Sequence, residues 1–283
     1  MYRIYWILIV SLFVVSAANA KNKVTLMVLY DLSHSMTDHY PKMQALVPMI
    51  EKAMQSSRCE YQVSVSNINY YDEYPYNNLM PFKRSGEPGF ITQDHGAQGI
   101  EWIKERLLYP FLVTANNSQA DGSSGAIVGG SEQTYTSIVK SLRANQAHLI
   151  DQHVVGTLLL TDAAPGFEEY HPGVAKNKIN EILGGVPYVS GTIHYPYAEN
   201  MMDAHPAEVC VPDFPMGTTV PPIGSNNLTI NTSAWKYRDI EALYKFADAT
   251  YGYQWNICDK SYDDNLRRFL NEVLSVAGCL LIM

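Results

Sequence analysis

The chain has 283 residues, of which 47% are hydrophobic and 17% are charged, and its formal net charge is −8 at pH 7. An apolar content this high is enough for a sizeable core and excludes an intrinsically disordered chain. The acidic balance and the lack of a basic run in the sequence argue against a nucleic-acid partner.

The first twenty residues have the pattern of a signal peptide. Arg3 is followed by an almost unbroken apolar run over residues 4–15, and then by small residues ending in Ala18-Asn19-Ala20. The run is too short for a membrane-spanning helix, and the small residues suit cleavage before Lys21. We therefore expect an exported chain that is periplasmic, on the cell surface or extracellular, with no transmembrane span after cleavage. An uncleaved membrane anchor is the alternative.

The exported part contains four cysteines, Cys59, Cys210, Cys258 and Cys279. An even number of cysteines in an oxidising compartment predicts two disulfides, for which three pairings are possible. Cys210 and Cys258 bracket a loop-rich stretch, whereas Cys59 and Cys279 lie at the ends of two predicted helices. We therefore favour the pairs Cys210–Cys258 and Cys59–Cys279.

The first half of the exported chain begins with a continuous apolar run over residues 24–30, which predicts a strand buried on both faces. A helix over residues 43–54 and a strand over 61–68, nearer the sheet edge, are predicted next. Residues 69–130 are rich in Tyr, Asn, Gly and Ser, and we expect mostly loop there. One amphipathic helix, around residues 100–108, interrupts this loop.

In the second half, predicted helices and strands alternate regularly. They are a helix over 134–150, a strand over 154–160, a helix over 174–183, a strand over 186–193, and, after a Pro-rich segment, a helix over 240–249, a strand over 253–257 and a helix over 263–277. This alternation predicts an α/β fold with a doubly wound, mostly parallel central sheet and helices on both faces. We expect one domain over residues 21–283, with loop insertions at about 69–130 and 196–233.

Two of the apolar strands end in an aspartate. Asp31 follows the strand over 24–30, and Asp162 follows the strand over 154–160 after Thr161. Because ligands of open α/β sheets bind outside the carboxyl ends of the strands, the two carboxylates converge on one crevice if these strands are neighbours. Ser33 and Ser35 can turn their hydroxyls to the same place. Carboxylate and hydroxyl oxygens suit a magnesium-like ion.

The segments VLYDLSHSM, residues 28–36, and LLLTDA, residues 158–163, resemble the von Willebrand factor type A (VWA) family and its metal-ion-dependent adhesion site. The resemblance covers essentially the whole exported chain and implies a Rossmann-like fold. It also implies that Asp31 touches a divalent cation directly or through water, that Ser33 and Ser35 are direct ligands, and that Asp162 binds through water. Magnesium is the expected ion, with manganese or calcium as alternatives.

A further ligand of the family comes from a second loop, just before a helix. Residues 129–136, GGSEQTYT, lie in the corresponding place. Counting back from the helix selects Thr136 and then Thr134, whereas counting from the glycines selects Ser131 or Glu132. A carboxylate ligand at Glu132 would lower the positive charge offered to a partner. The expected metal ligands are therefore Asp31, Ser33, Ser35, Thr136, Thr134 and Asp162.

The function that the resemblance implies is metal-dependent adhesion, in which the bound cation engages an acidic group on a protein or surface partner. We expect binding rather than catalysis. One alternative is a magnesium-dependent phosphate-transferring hydrolase with Asp31 as the nucleophile, but that chemistry usually needs a second acid two residues on, where Ser33 stands. Another is a structural or assembly protein with an unused site. Several of these residues could also serve only as turn or helix-capping residues: Asp31 with Ser33 and Ser35, Ser131, Thr134 and Asp162.

Overall fold

The structure is a computed structural model, and it describes residues 21–31, 39–55, 59–67, 69–70, 86–117, 131–132, 134–161, 170–194, 240–257 and 259–279. Its strands are β1 (Asn22–Tyr30), β2 (Cys59–Asn67), β3 (Asn69–Tyr70), β4 (Ile91–Thr92), β5 (Ser131–Glu132), β6 (Val154–Leu160), β7 (Tyr188–His194) and β8 (Tyr253–Asn256). Its α-helices are α1 (Leu46–Gln55), α2 (Gly96–Asn117), α3 (Thr134–Ala144), α4 (Pro172–Leu183), α5 (Ile240–Ala249) and α6 (Asp263–Val276).

Six of these strands form one central sheet in the order β4-β2-β1-β6-β7-β8. All of its strand pairs are parallel except the pair between β2 and the short edge strand β4. The strand order reverses between β1 and β6, which makes the carboxyl ends of these two strands the topological switch point of the sheet. The predicted α/β fold with a mostly parallel central sheet is confirmed.

The central strand β1 supplies side chains to a separate core on each face of the sheet. Val24, Leu26 and Val28 belong to the core that is covered by α1, α2 and α6. Met27 and Leu29 belong to the core that is covered by α3, α4 and α5. Successive side chains of a strand point to opposite faces, so a strand in the middle of a doubly covered sheet must be apolar at almost every position.

Helix α6 packs closely against β6 and β7 because two of the strand positions are glycines. A Cβ atom on Gly156 would lie 2.8 Å from Cγ2 of Val273, and one on Gly191 would lie 2.9 Å from Cδ2 of Phe269. Both distances are shorter than a van der Waals contact between carbon atoms. The missing side chains therefore set how near the helix can approach the sheet.

A disulfide joins Cys59, the first residue of β2, to Cys279, which follows α6. The two Cα atoms are 6.0 Å apart, and the sequence separation is 220 residues. The Nδ2 atom of Asn22 also donates a hydrogen bond of 2.7 Å to the carbonyl of Ala277. The favoured Cys59–Cys279 pair is confirmed, although Cys59 begins a strand instead of ending a helix. The second favoured pair, Cys210–Cys258, lies outside the described residues.

The guanidinium of Arg106 fastens helix α2 to the chain that leads into β4. It forms a 3.2 Å ion pair with Glu87 and donates to the carbonyl oxygens of Pro88, at 2.8 Å, and Gly89, at 3.4 Å. The side chain is only 3% exposed. Burial lowers the pKa of Arg106, and the hydrogen bond with Glu87 opposes that shift. The positive charge of Arg106 is tolerated in the interior because Glu87 and two backbone carbonyl oxygens accept its hydrogen bonds.

Several predicted boundaries differ from the structure. The helix predicted around residues 100–108 is α2, which extends from Gly96 to Asn117. The helix predicted over 134–150 stops at Ala144, where the side chain of Asn145 donates to the carbonyl of Ser141 and a short 3-10 turn follows. The region predicted as mostly loop also contains β3 and β4, which are too short to produce a periodic pattern. The predicted signal peptide and the 196–233 insertion lie outside the described residues.

Candidate metal centre at the carboxyl edge of the sheet

Asp31 lies at the switch point, where it continues β1 by one residue. Its backbone N–H donates to the carbonyl of Leu160 over 2.9 Å, and Tyr30 is already in register with Leu160. Asp31 is therefore level with Thr161 on the neighbouring strand. The Asp31 residue is fully buried. A carboxylate in such a place loses its hydration and must be compensated by hydrogen bonds or by positive charge.

The hydroxyl of Thr161 donates a 2.9 Å hydrogen bond to Oδ2 of Asp31. Thr161 is itself fully buried, and its N–H donates to the carbonyl of Ile193 on β7. The threonine is thus fixed from both sides, and it orients the aspartate. Because a hydroxyl is uncharged, this bond positions the carboxylate without neutralising it. The candidate ligand Asp162 follows Thr161 directly but lies outside the described residues, as do Ser33 and Ser35.

Helix α3 begins at the same edge of the sheet. The short strand β5 immediately precedes it and pairs with β3, which in turn begins just beyond the end of β2. The end of β2 is level with the end of β1, since Asn67 is in register with Tyr30. The amino terminus of α3 therefore points its backbone N–H groups and its positive dipole end to the carboxyl edge. Tyr135 stacks on Phe246 of α5, with the ring centroids 5.3 Å apart, and fixes this end of the helix.

The two preferred second-loop residues both fall in the first turn of α3. Thr134 is the first residue of the helix and Thr136 the third, and both are fully buried. Residues two apart on an α-helix point about 200° away from one another, so the two hydroxyls cannot both face the same point. The backbone of Ser131 and Glu132, the other two candidates, pairs with β3. The helix geometry thus allows at most one of the two threonines to face the carboxyl edge at Asp31.

Two polar residues of this edge were missed in the sequence analysis. The first is His194, the last residue of β7, which is level with Thr161 because Leu160 is in register with Ile193. The second is Asn256 of β8, which is in register with His194. The row Asp31, Thr161, His194 and Asn256 thus crosses four neighbouring strands. Alternation places it on the side covered by α3, α4 and α5, the side of Leu29 and Leu159. His194 is only 2% exposed.

The sequence did contain a signal for His194. It directly follows the predicted strand over 186–193, as Asp31 follows its own strand, yet the prediction ended that strand before the histidine. Neighbouring strands lie about 4.8 Å apart, so the backbone of His194 is about 10 Å from that of Asp31. His194 therefore lies two strands from Asp31 along the same edge of the sheet.

His39, the first described residue after Asp31, is held in place by a hydrogen bond. Nδ1 of His39 and the hydroxyl of Tyr262 are 3.2 Å apart, and that hydroxyl donates a 2.7 Å hydrogen bond to the carbonyl of Ile257. A phenol has one hydrogen to give, so His39 must be the donor of the first bond. His39 is therefore tied to the segment that connects β8 with α6.

Within the described ranges, no group of three or more His, Cys, Asp or Glu side chains could hold a metal ion. Asp31 is the one carboxylate of the expected ligand set that falls in those ranges, and hydroxyls make up most of the rest. The expected ligand set contains only oxygen donors, which fits magnesium or manganese better than zinc, since zinc favours nitrogen and sulfur ligands.

In the described part of the chain, no helix is long and apolar enough to cross a membrane.

No family model and no curated protein matches the chain. Among solved structures, it is similar to proximal thread matrix protein 1 from the mussel byssus, with 12% identity, 92% of this chain and 49% of that chain covered, and a TM-score of 0.39. It is similar to the pilus adhesin SpaC from Lactobacillus rhamnosus GG in an open conformation, with 11% identity, 92% of this chain and 30% of that chain covered, and a TM-score of 0.44. It is also similar to the human COPII-coat protein Sec24c, with 8% identity, 91% of this chain and 32% of that chain covered, and a TM-score of 0.39. This chain spans about half or less of the length of each of these proteins.

Proposed function

We propose that the chain is an exported, metal-dependent binding protein of the von Willebrand factor type A kind. Its divalent cation engages an acidic group on a protein or surface partner. The observation that carries the proposal is the hydrogen bond from Thr161 to the buried carboxylate of Asp31 at the switch point of the sheet. Through it, the strand that leads into the D-x-S-x-S segment and the strand that leads into the T-D pair stand side by side.

The donor set in this proposal is Asp31, Ser33, Ser35, Asp162 and one threonine of α3. All of these donors are hard oxygens, which magnesium prefers in near-octahedral geometry. A buried carboxylate is favoured by a nearby cation, since the charge of the ion offsets the loss of hydration. The bound ion would supply a Lewis-acidic position that a partner's carboxylate oxygen completes.

Thr161 has a positioning role in this proposal and is not a ligand. Its hydroxyl donates to Oδ2 of Asp31 and so fixes that oxygen of the carboxylate. Hydrogen bonds of this kind to a ligating carboxylate set its orientation and its basicity. The amino terminus of α3 adds a positive dipole end at the same edge, which attracts an anionic partner group.

Calorimetric titration of the mature chain, stripped with chelator, with Mg²⁺ and then Mn²⁺ tests the proposal. The key variant is Asp31→Asn, because it removes the charge and keeps an oxygen that Thr161 can donate to. Asp151→Asn is the matched control: Asp151 is a carboxylate that pairs with Lys23 beside the first strand residues, at the opposite edge of the sheet. Parallel titrations of Thr134→Ala and Thr136→Ala identify the ligand from α3.

We expect one saturable site in the wild type that disappears in Asp31→Asn and persists in Asp151→Asn. One threonine variant should lose affinity and the other should keep it. Wild-type binding that survives Asp31→Asn, or no binding of either ion in the wild type, would contradict the proposal and leave Asp31 a structural residue. Steady hydrolysis of p-nitrophenyl phosphate that Asp31→Asn abolishes would favour the phosphate-transferring alternative instead.

A further inference from the structure

A basic groove lies between the chain that leads into α1 and the first turns of α6. Its volume is about 780 Å³, and four basic side chains line it: Lys42, Lys52, Lys260 and Arg267. One acidic side chain, Asp263, lines it as well. The whole chain has only 20 lysines and arginines and a net charge of −8, so this concentration of positive charge runs against the overall balance. A locally positive groove on an acidic protein selects anionic groups.

One of the four charges is held in a fixed place. Nζ of Lys42 donates to the carbonyl oxygens of Asp259, at 2.6 Å, and Ile257, at 3.3 Å, and lies 4.9 Å from the ring centre of Tyr262. Carbonyl oxygens accept hydrogen bonds from an ammonium, and an aromatic face attracts it. The positive charge of Lys42 is therefore pre-positioned at the wall of the groove.

The other basic side chains are exposed. Within the described residues, Lys52 and Lys260 form no ion pair, and Arg267 pairs with Asp264 at 3.0 Å on an open surface where the two side chains are 50% and 81% exposed. An ion pair as exposed as that one is weak, since water and salt screen it. These charges are consequently available to a ligand.

The groove also has an apolar part, formed by Pro41, Pro48 and Met49. Methionine adapts its shape to different neighbours, and prolines contribute rigid apolar surface. A bare polyanion such as polyphosphate would leave this part uncovered. A peptide that combines acidic with apolar side chains would cover both parts.

The groove starts at the same edge of the sheet as the candidate metal centre. The ring of Tyr262 lies below the ammonium of Lys42, and its hydroxyl forms a hydrogen bond with His39. His39 is the first described residue after Asp31. We propose that the groove binds an acidic peptide segment of the partner, beside the carboxylate that engages the cation. The identity of this partner rests on the proposed function, but binding of an acidic segment to the groove does not require the cation.

The test uses the mature chain and fluorescence anisotropy of a labelled peptide built from Glu, Leu and Gly, with glutamate at every second position. A peptide with glutamine in place of each glutamate is its control. The double variant Lys52→Glu/Lys260→Glu reverses the two unpaired charges of the groove. Lys104→Glu/Lys178→Glu changes the net charge by the same amount at an exposed position on α2 and a half-exposed one on α4, away from the groove. Circular dichroism verifies that each variant is folded.

We expect the acidic peptide to bind in the presence of chelator and about tenfold more weakly to the groove variant, while the control variant keeps nearly full affinity. Affinity should also fall when salt rises from about 0.05 M to about 0.5 M. Asp31→Asn should bind the peptide normally in chelator, which separates this inference from the metal site. Equal affinity for the glutamine peptide, equal loss in both double variants, or equally effective displacement by inorganic polyphosphate would overturn it.

Discussion

Replacing Thr161 by valine removes one hydroxyl and keeps the shape of the side chain, so its cost reports the hydrogen bond to Asp31. Both residues are fully buried, and water therefore cannot replace the lost donor. A hydrogen bond to a charged group contributes about 1.5 to 3 kcal/mol. We expect the free energy of unfolding of Thr161→Val to fall by about 2 kcal/mol, which lowers the melting temperature by about 4 to 8 °C in a domain of this size.

The same strand offers a matched control in Thr157. It is buried, points to the same side of the sheet as Thr161, and its hydroxyl shares a 2.5 Å hydrogen bond with the hydroxyl of Tyr188. Burial raises the pKa of Tyr188 above its usual value, so its phenol stays neutral. A bond between two neutral groups contributes about 1 kcal/mol. Thr157→Val should therefore cost about half as much as Thr161→Val.

Urea unfolding followed by circular dichroism, in the presence of chelator, measures both costs. Titration calorimetry of Thr161→Val should further show affinity for Mg²⁺ lowered by about tenfold or more, since the carboxylate loses the group that orients it. If Thr161→Val costs no more than Thr157→Val, or binds Mg²⁺ as tightly as the wild type, the hydroxyl of Thr161 does not position Asp31 for the ion.

Three further expectations concern the scaffold. The Cys59→Ala/Cys279→Ala variant should lose about 5 kcal/mol of stability by the chain-entropy estimate, because the disulfide closes a separation of 220 residues; a loss below about 1 kcal/mol in urea unfolding would contradict this. Gly156→Ala should cost about 1 to 3 kcal/mol, since its Cβ would press on α6, and an unchanged melting temperature would show that the helix can move away. Glu87→Gln should lower the free energy of unfolding by about 2 to 3 kcal/mol, because it leaves the buried Arg106 without its acid. Its urea midpoint should fall while that of an exposed control, Glu101→Gln, stays unchanged, and equal midpoints for the two variants would contradict this.

Much of the fold could be predicted because each central strand is buried on both faces and is therefore a continuous apolar run. The strand over 154–160 has the predicted bounds, and β1 differs only at its start. The two-residue strands β3 and β4 could not be predicted, since pairing with distant residues defines them and no local period does.

The candidate site was predictable in part for the same reason. Asp31 directly follows a buried strand, and the neighbouring position of Thr161 follows from the strand order. His194 required the sheet register, because only the alignment of three strands shows that it continues the row of Asp31 and Thr161. The basic groove brings Lys42 together with Lys260, and the sequence alone gave no reason to connect them. The roles of Ser33, Ser35 and Asp162 stay predictions.

The most direct test of the proposed metal centre is a crystal structure of the mature chain soaked in Mn²⁺, with diffraction data collected at the manganese absorption edge. We expect one strong anomalous peak at the carboxyl edge of the sheet, next to the carboxylate of Asp31 and about 2.0 to 2.6 Å from the hydroxyl oxygens of Ser33 and Ser35. That peak should be missing from crystals of Asp31→Asn prepared in the same way. A peak elsewhere on the protein, or none at this edge in the wild type, would contradict the proposed metal centre.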